Sequence, residues 1–228
     1  MYYIVRVRHT FKNSIKFNRP ENAVVSTPVY ICILIATIYF CVYSVVNHWP
    51  MERFVFPLSE MDIIIPYIDW SYIIYLSAFV QALFVMKSIP KRLLPIYIAG
   101  PSVAIIVGVI FFILYPVEYP RNLFPDNNIL INFFRNIDLP GNCFPSLHVT
   151  MTILFAHIYA MILQVENIIS KRLLILKSSM MWLWTISIIV SVLTTKQHYL
   201  MDVFGGIALS AFIIYIMNMY IYKYSDSK

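Results

Sequence analysis

Ionisable side chains at the edge of a hydrocarbon slab are costly to keep, so each needs a physical reason. One stretch, Lys196-Gln-His-Tyr-Leu-Met-Asp202, lies between the apolar runs 181–195 and 203–222. His198 and Asp202 stand four residues apart, which puts both on one face if a helix begins near His198. A carboxylate placed there accepts the imidazole Nδ1 proton and leaves Nε2 pointing outward as a base or nucleophile. That is half of a catalytic constellation.

The partner half is expected at Gly141-Asn-Cys-Phe-Pro-Ser-Leu-His148. Pro145 fixes the chain just ahead of a helix, and Ser146 is a good N-cap. The first backbone N–H groups of that helix, with its dipole, form an anion site. His148 falls in the first turn, beside whatever anion binds. Upstream, Tyr115-Pro-Val-Glu-Tyr-Pro-Arg121 brings a guanidinium to the same membrane face. Its planar fork suits two phosphate oxygens at once. Lys196, two residues before His198, is a further source of positive charge.

Together these types suit phosphoryl transfer, which asks for charge neutralisation and positioning more than for covalent machinery. Arg121, Lys196 and the helix N-terminus at Ser146 would neutralise charge on the phosphate. The two histidines, His148 and His198, and Asp202 would between them supply nucleophile, acid and orienter. No cofactor and no metal is required. Zinc on His148, His198 and Asp202 is a rival, disfavoured because no soft ligand or further histidine is apparent nearby. His157 lies deeper in its span and reads as a packed or pore-facing side chain.

The elements that must hold these residues are membrane helices. The 228 residues are 60% hydrophobic and 12% charged, and mean hydropathy is +0.73. A soluble domain carries about 25% charged residues, and a barrel would show weaker alternating segments of about ten residues. The expected fold is therefore all-α and polytopic, with six spans near 28–46, 70–86, 93–115, 146–164, 177–195 and 198–222. Each approaches the ~20 residues a bilayer needs. Pro90, Pro95 and Pro101 bend or delay the third. Cys32, Cys41 and Cys143 make neither a CxxC motif nor an even disulfide framework.

Residues 1–27 read as a basic amphipathic helix on the membrane surface, with Tyr3, Val7, Phe11 and Ile15 recurring opposite Arg8, Lys12 and Lys16. The membrane catalytic domain then covers 28–222 and a short tail 223–228. Arg53, Arg121, Arg135 and Lys196 lie on one side of the membrane, and every other lysine and arginine on the other. Both termini are thus expected in the cytoplasm. The formal net charge of +6 reflects orientation rather than nucleic-acid binding. The connections 48–69, 116–145 and 196–197 would face the extracytoplasmic side of a bacterial inner membrane. The first should be an aromatic interfacial loop whose Glu52, Glu60, Asp62 and Asp69 are solvated charges. The second, with five prolines, should be extended and turn-rich.

Pro145-Ser146-x-His148 followed by His198-x-x-x-Asp202 resembles the type 2 phosphatidic acid phosphatase superfamily of lipid phosphate phosphatases and phosphotransferases. The resemblance covers roughly 115–206, and the six-span layout agrees with it. It implies that His198 attacks phosphorus to form a phosphohistidine and that Asp202 orients it. It further implies that His148 protonates the leaving oxygen and then deprotonates the acceptor, while Arg121 and Ser146 hold the phosphate. Three positions depart from the usual motifs. Leu114 stands where a lysine is usual, Val192 where an arginine is, and Leu147 where a glycine is. These departures are nearest the branch containing the inositol phosphorylceramide synthases.

The reading reached is a membrane lipid phosphatase working at the extracytoplasmic face on a substrate whose tail stays in the bilayer. Transfer of a phosphate-containing headgroup to a lipid alcohol is the alternative within the same chemistry. A non-catalytic lipid transporter or flippase is the alternative of another class. It fits less well, since the ionisable set gathers at one surface rather than deep within several spans.

Overall fold

The computed structural model describes residues 26–90, 93–125, 128–166 and 170–226. The basic amphipathic helix expected before residue 26 falls outside them. Six helices are long and apolar enough to span a bilayer. They are α1 (Ser26–Asn47), α3 (Ser71–Ser88), α4 (Leu94–Leu114), α6 (Leu147–Glu166), α7 (Lys171–Thr194) and α8 (Leu200–Asp226). The short helices α2 (Glu60–Ile64) and α5 (Ile129–Ile137) belong to the connections. A two-residue parallel pair, β1 (Phe54–Val55) with β2 (Val117–Glu118), ties the first connection to the second.

The third span starts at Leu94 because Pro95 tolerates the first helical turn, where its missing N–H has no intrahelical partner to lose. Pro101 lies inside that helix and is buried. The last span begins two residues later than expected, at Leu200 rather than His198. The cause is local. The Asp202 carboxylate accepts the Tyr199 N–H at 2.9 Å, the backward half of a capping box, and this fixes Tyr199 as the cap.

The second connection is more ordered than its prolines imply. Asn128 caps α5 by accepting from the Leu130 N–H at 2.9 Å. That helix buries Ile131 and exposes Ile129, Leu130 and Phe133. A short apolar run such as Ile-Leu-Ile-Asn-Phe-Phe is ambiguous by periodicity, so its helix was hidden in the sequence.

Helix α6 is the axis of the bundle. It contacts α3, α4, α7 and α8, and 61% of its span is buried against 17% for α1 and α7. Its core includes Leu154, Ile158 and Ile162 packed with Val85, Met86, Met181 and Ile213. In the middle of the bundle Gln81 donates to Thr185 at 2.8 Å and accepts from Thr152 at 2.5 Å, joining α3, α7 and α6. Such internally satisfied amides hold helices together where lipid offers no partner. Gly206 lets α8 approach the start of α6: a Cβ there would lie 2.6 Å from the Ser146 carbonyl oxygen.

Candidate active site

The connection from α7 to α8 is a tight reversal over residues 195–199. Lys196 adopts a positive φ of 55°, a region that penalises a side chain bearing Cβ. Contacts hold it there. Its Nζ donates to the carbonyls of Asp62 and Ile65, both at 2.5 Å, and lies 4.9 Å from the Phe124 ring centroid. Burial pulls its pKa down, and the Asp62 carboxylate opposes that shift. Lys196 is therefore turned toward the first connection, not offered to a phosphate as the sequence led us to expect.

Asp62 is not a solvated loop charge either. It is buried, and its Oδ1 accepts from the Leu200 N–H at 2.8 Å, satisfying a first-turn donor of α8. Its other oxygen closes a capping box with Ser59, taking the Ser59 N–H at 3.0 Å and the Ser59 hydroxyl at 2.5 Å. The Ser-x-x-Asp spacing of 59–62 was a readable signal for this. Tyr199 adds a third tie, donating to the Phe56 carbonyl at 2.9 Å and the Glu118 carbonyl at 3.1 Å. Burial pushes its phenol up to about 12, so it remains a donor at neutral pH.

Within this frame His198 Nδ1 lies 3.3 Å from Asp202 Oδ2. The same oxygen takes the Tyr199 N–H, which fixes the carboxylate, and the carboxylate in turn fixes the ring. His198 is mostly buried but still reachable. The Asp202 main-chain carbonyl accepts the Ser146 N–H at 3.0 Å, locking the start of α8 to the start of α6. Ser146 is fully buried, and its hydroxyl accepts from Val149 N–H at 3.4 Å, as an N-cap should.

Arg121 occupies the opposite wall, in the short turn Arg121–Leu123 that follows β2. It is buried. Its Nη1 donates to the Asp138 carbonyl, and its Nη2 stands 3.8 Å from Asp138 Oδ2. Its Nε has no hydrogen-bond partner among the described residues. Asp138 also accepts from Tyr43 OH at 2.7 Å and Tyr75 OH at 3.5 Å. Tyr75 carries the link onward, since its ring stacks on His148 with centroids 4.0 Å apart and planes at 8°. His148 Nε2 lies 3.0 Å from the Tyr75 carbonyl oxygen, which leaves Nδ1 as the unengaged ring nitrogen. His148 and His198 are close enough to interact electrostatically.

Cys143 stands between the two walls. Burial pushes its thiol well above the ordinary range, the Asp202 carboxylate adds to that, and Arg121 opposes it. Its Sγ donates to the Pro140 carbonyl at 3.0 Å. The structure thus brings His198, Asp202, Ser146, His148 and Arg121 to one end of the bundle and turns Lys196 aside. It adds Asp62, Asp138, Tyr75 and Cys143, which sequence reasoning passed over. Only Asp62 carried a local signal; the others matter through contacts distant in the chain. His157 remains in the interior of α6, away from this end.

Comparison with curated proteins and with solved structures finds no match. The family model described as PAP2 superfamily matches residues 71–226. That stretch runs from the start of α3 to the end of α8 and carries Arg121, Asp138, Cys143, Ser146, His148, Lys196, His198 and Asp202, while Asp62 lies before it. By this match over well more than half of its length, the chain belongs to the PAP2 superfamily.

Proposed function

We propose that this membrane protein hydrolyses a lipid phosphate ester at the extracytoplasmic face through a phosphohistidine on His198. Family membership supports lipid phosphatase or phosphotransferase activity in general. The observation that carries the finer reading is the His198–Asp202 pair at 3.3 Å, at the same end of the bundle as the buried Arg121. With Nδ1–H donated to Asp202, Nε2 keeps its lone pair and attacks phosphorus. Arg121 and the N-terminal N–H groups of α6 take the developing charge on the equatorial oxygens.

The ester bond breaks as the N–P bond forms, and His148, entering the step as an imidazolium, gives its Nδ1 proton to the departing lipid oxygen and becomes neutral. Its Nε2–H stays on the Tyr75 carbonyl, so the ring keeps one orientation through both steps. In the second step His148 takes a proton from water, the water oxygen attacks phosphorus, and His198 departs with inorganic phosphate released. Two histidines and an aspartate supply each proton transfer, so no metal is needed. The charge asymmetry of the sequence supports the extracytoplasmic placement.

Headgroup transfer is favoured by one observation. Phe54 and Phe56 are exposed beside Tyr115, with ring centroids 5.8 and 6.1 Å from it. This aromatic wall at the site end of the bundle suits a second lipid chain. Proteoliposomes holding a labelled lipid monoester, with and without added ceramide or diacylglycerol, separate the two. Inorganic phosphate released without added alcohol, and absent in His198→Ala, is the expected result. A new labelled lipid formed only with added alcohol, and no free phosphate, would overturn hydrolysis. For sidedness, Asn122→Cys on a background lacking the native cysteines should react with an impermeant thiol reagent in intact cells, and Ser170→Cys should not. The reverse pattern would invert the topology.

A further inference from the structure

The zinc set conceivable from the sequence lacked a soft ligand, and the fold supplies one. A ligating atom each from Cys143, His198 and Asp202 lie within 4.8 Å of one another. Tetrahedral zinc, with bonds of about 2.0–2.3 Å, needs its donors roughly 3.3–3.7 Å apart, so a contraction of about 1 Å brings these three into ligating positions. The cluster is built on two elements already locked together, because Asp202 O accepts Ser146 N–H at 3.0 Å and Cys143 N–H reaches Val117 O at 3.3 Å. Cys143 and Asp202 are buried, and His198 stays partly open, which leaves a fourth position toward the pocket.

Resting on the phosphohistidine reading above, we propose that Cys143, His198 and Asp202 form an inhibitory site for a soft divalent cation, of which Zn²⁺ is the type, and that Cys143 sets the sensitivity. Binding forms the Zn–S bond and releases the thiol proton to solvent. The dication is then balanced by one thiolate and one carboxylate, with a neutral imidazole. Arg121, which acts electrostatically on the thiol, is already paired with Asp138 and adds little opposing charge. The metal occupies the ring and the carboxylate that turnover requires, so phosphoryl transfer stops. Magnesium and calcium, which prefer oxygen donors, bind poorly to this set.

The test uses the full chain in detergent micelles. Co²⁺ titration should raise a thiolate-to-cobalt charge-transfer band in the native protein. The band should persist in a Cys32→Ser, Cys41→Ser double variant and vanish in Cys143→Ser. With a lipid monoester as substrate, Zn²⁺ should inhibit reversibly, chelator restoring the rate. Relative to its own metal-free rate, Cys143→Ser should need at least tenfold more Zn²⁺ for half inhibition. An unchanged midpoint in Cys143→Ser, a missing cobalt band in the native protein, or a rate raised by Zn²⁺ would each overturn the proposal. The cobalt band does not depend on turnover, so its presence in a protein without phosphatase activity would sink the enzymatic reading and leave the metal site standing. Its absence in an active enzyme would do the opposite.

Discussion

The two walls of the pocket are built by opposite means. The His198 wall is over-determined: Lys196, Leu200 and Tyr199 each tie the same five-residue reversal to the first or second connection. The Arg121 wall hangs on one residue, Asp138, through its main-chain carbonyl and a looser contact to its carboxylate, and that side chain keeps almost a third of its surface exposed. The nearby helix α5 leaves Ile129, Leu130 and Phe133 uncovered. The difference matches what the proposed mechanism asks of each wall. A nucleophile needs fixed geometry, because small misplacements cost rate. A guanidinium awaiting phosphate benefits from an internal anion that neutralises it in a buried place and yields to the substrate. Asp138 fits that placeholder part.

The contrast can be broken most directly at its rigid side. His198→Ala should lower turnover by roughly 10³–10⁶-fold, and Asp202→Asn by about 10²–10⁴-fold with the fold intact. Near-normal turnover in His198→Ala, measured in micelles with circular dichroism unchanged, would remove the nucleophile assignment. Arg121→Lys keeps the charge but loses the fork. It should cost about 10²–10³-fold in kcat/KM, since a point charge cannot hold two oxygens in plane. A loss below threefold would mean that the phosphate lies elsewhere.

A smaller effect is expected where support, not chemistry, is removed. Lys196→Met leaves two buried carbonyls without their donor and should destabilise the protein by about 1–3 kcal/mol. Thermal unfolding in detergent would read this as a lower Tm. If the Tm is unchanged while phosphate affinity collapses, Lys196 binds substrate after all. The smallest effect separates the walls. Asp138→Asn weakens the placeholder, so inorganic phosphate should inhibit about threefold to tenfold more strongly, as expected when a competing state is disfavoured. Weaker inhibition would show that Asp138 aims Arg121 rather than standing in for phosphate.

The motifs behind the proposed chemistry were legible because they are local. Pro145-Ser146-x-His148 and His198-x-x-x-Asp202 each complete their geometry within one helix turn, so spacing alone exposes them. The six spans were legible from hydropathy, with ends displaced by a residue or several where a cap decided the start, as at Leu200. Pairings between connections were not legible. Asp62 meets Leu200 across 138 residues, and Arg121 meets Asp138 through a reversal that no periodicity encodes. Lys196 misled for the same reason. Its position beside His198 in sequence suggested a phosphate ligand, whereas its left-handed backbone points the ammonium at Asp62 and Ile65. Cys143 made no motif in the sequence because His198 and Asp202, whose ligating atoms lie near its own, are more than fifty residues away.

The tie between Lys196 and the Asp62 carbonyl has a consequence in time. Its two ends are separated by 134 residues, and a ribosome adds about 5–20 residues per second. The first connection therefore waits on the order of ten seconds for the lysine that fastens it. Until α7 and α8 have entered the membrane, neither the reversal at 195–199 nor its anchor exists. A chain stopped before α8 presents Arg121 and His148 without a nucleophile or the frame that would orient one. On the proposed mechanism, catalytic competence is thus an end-of-synthesis property, since a phosphohistidine on His198 would form only on molecules whose last helix is in place.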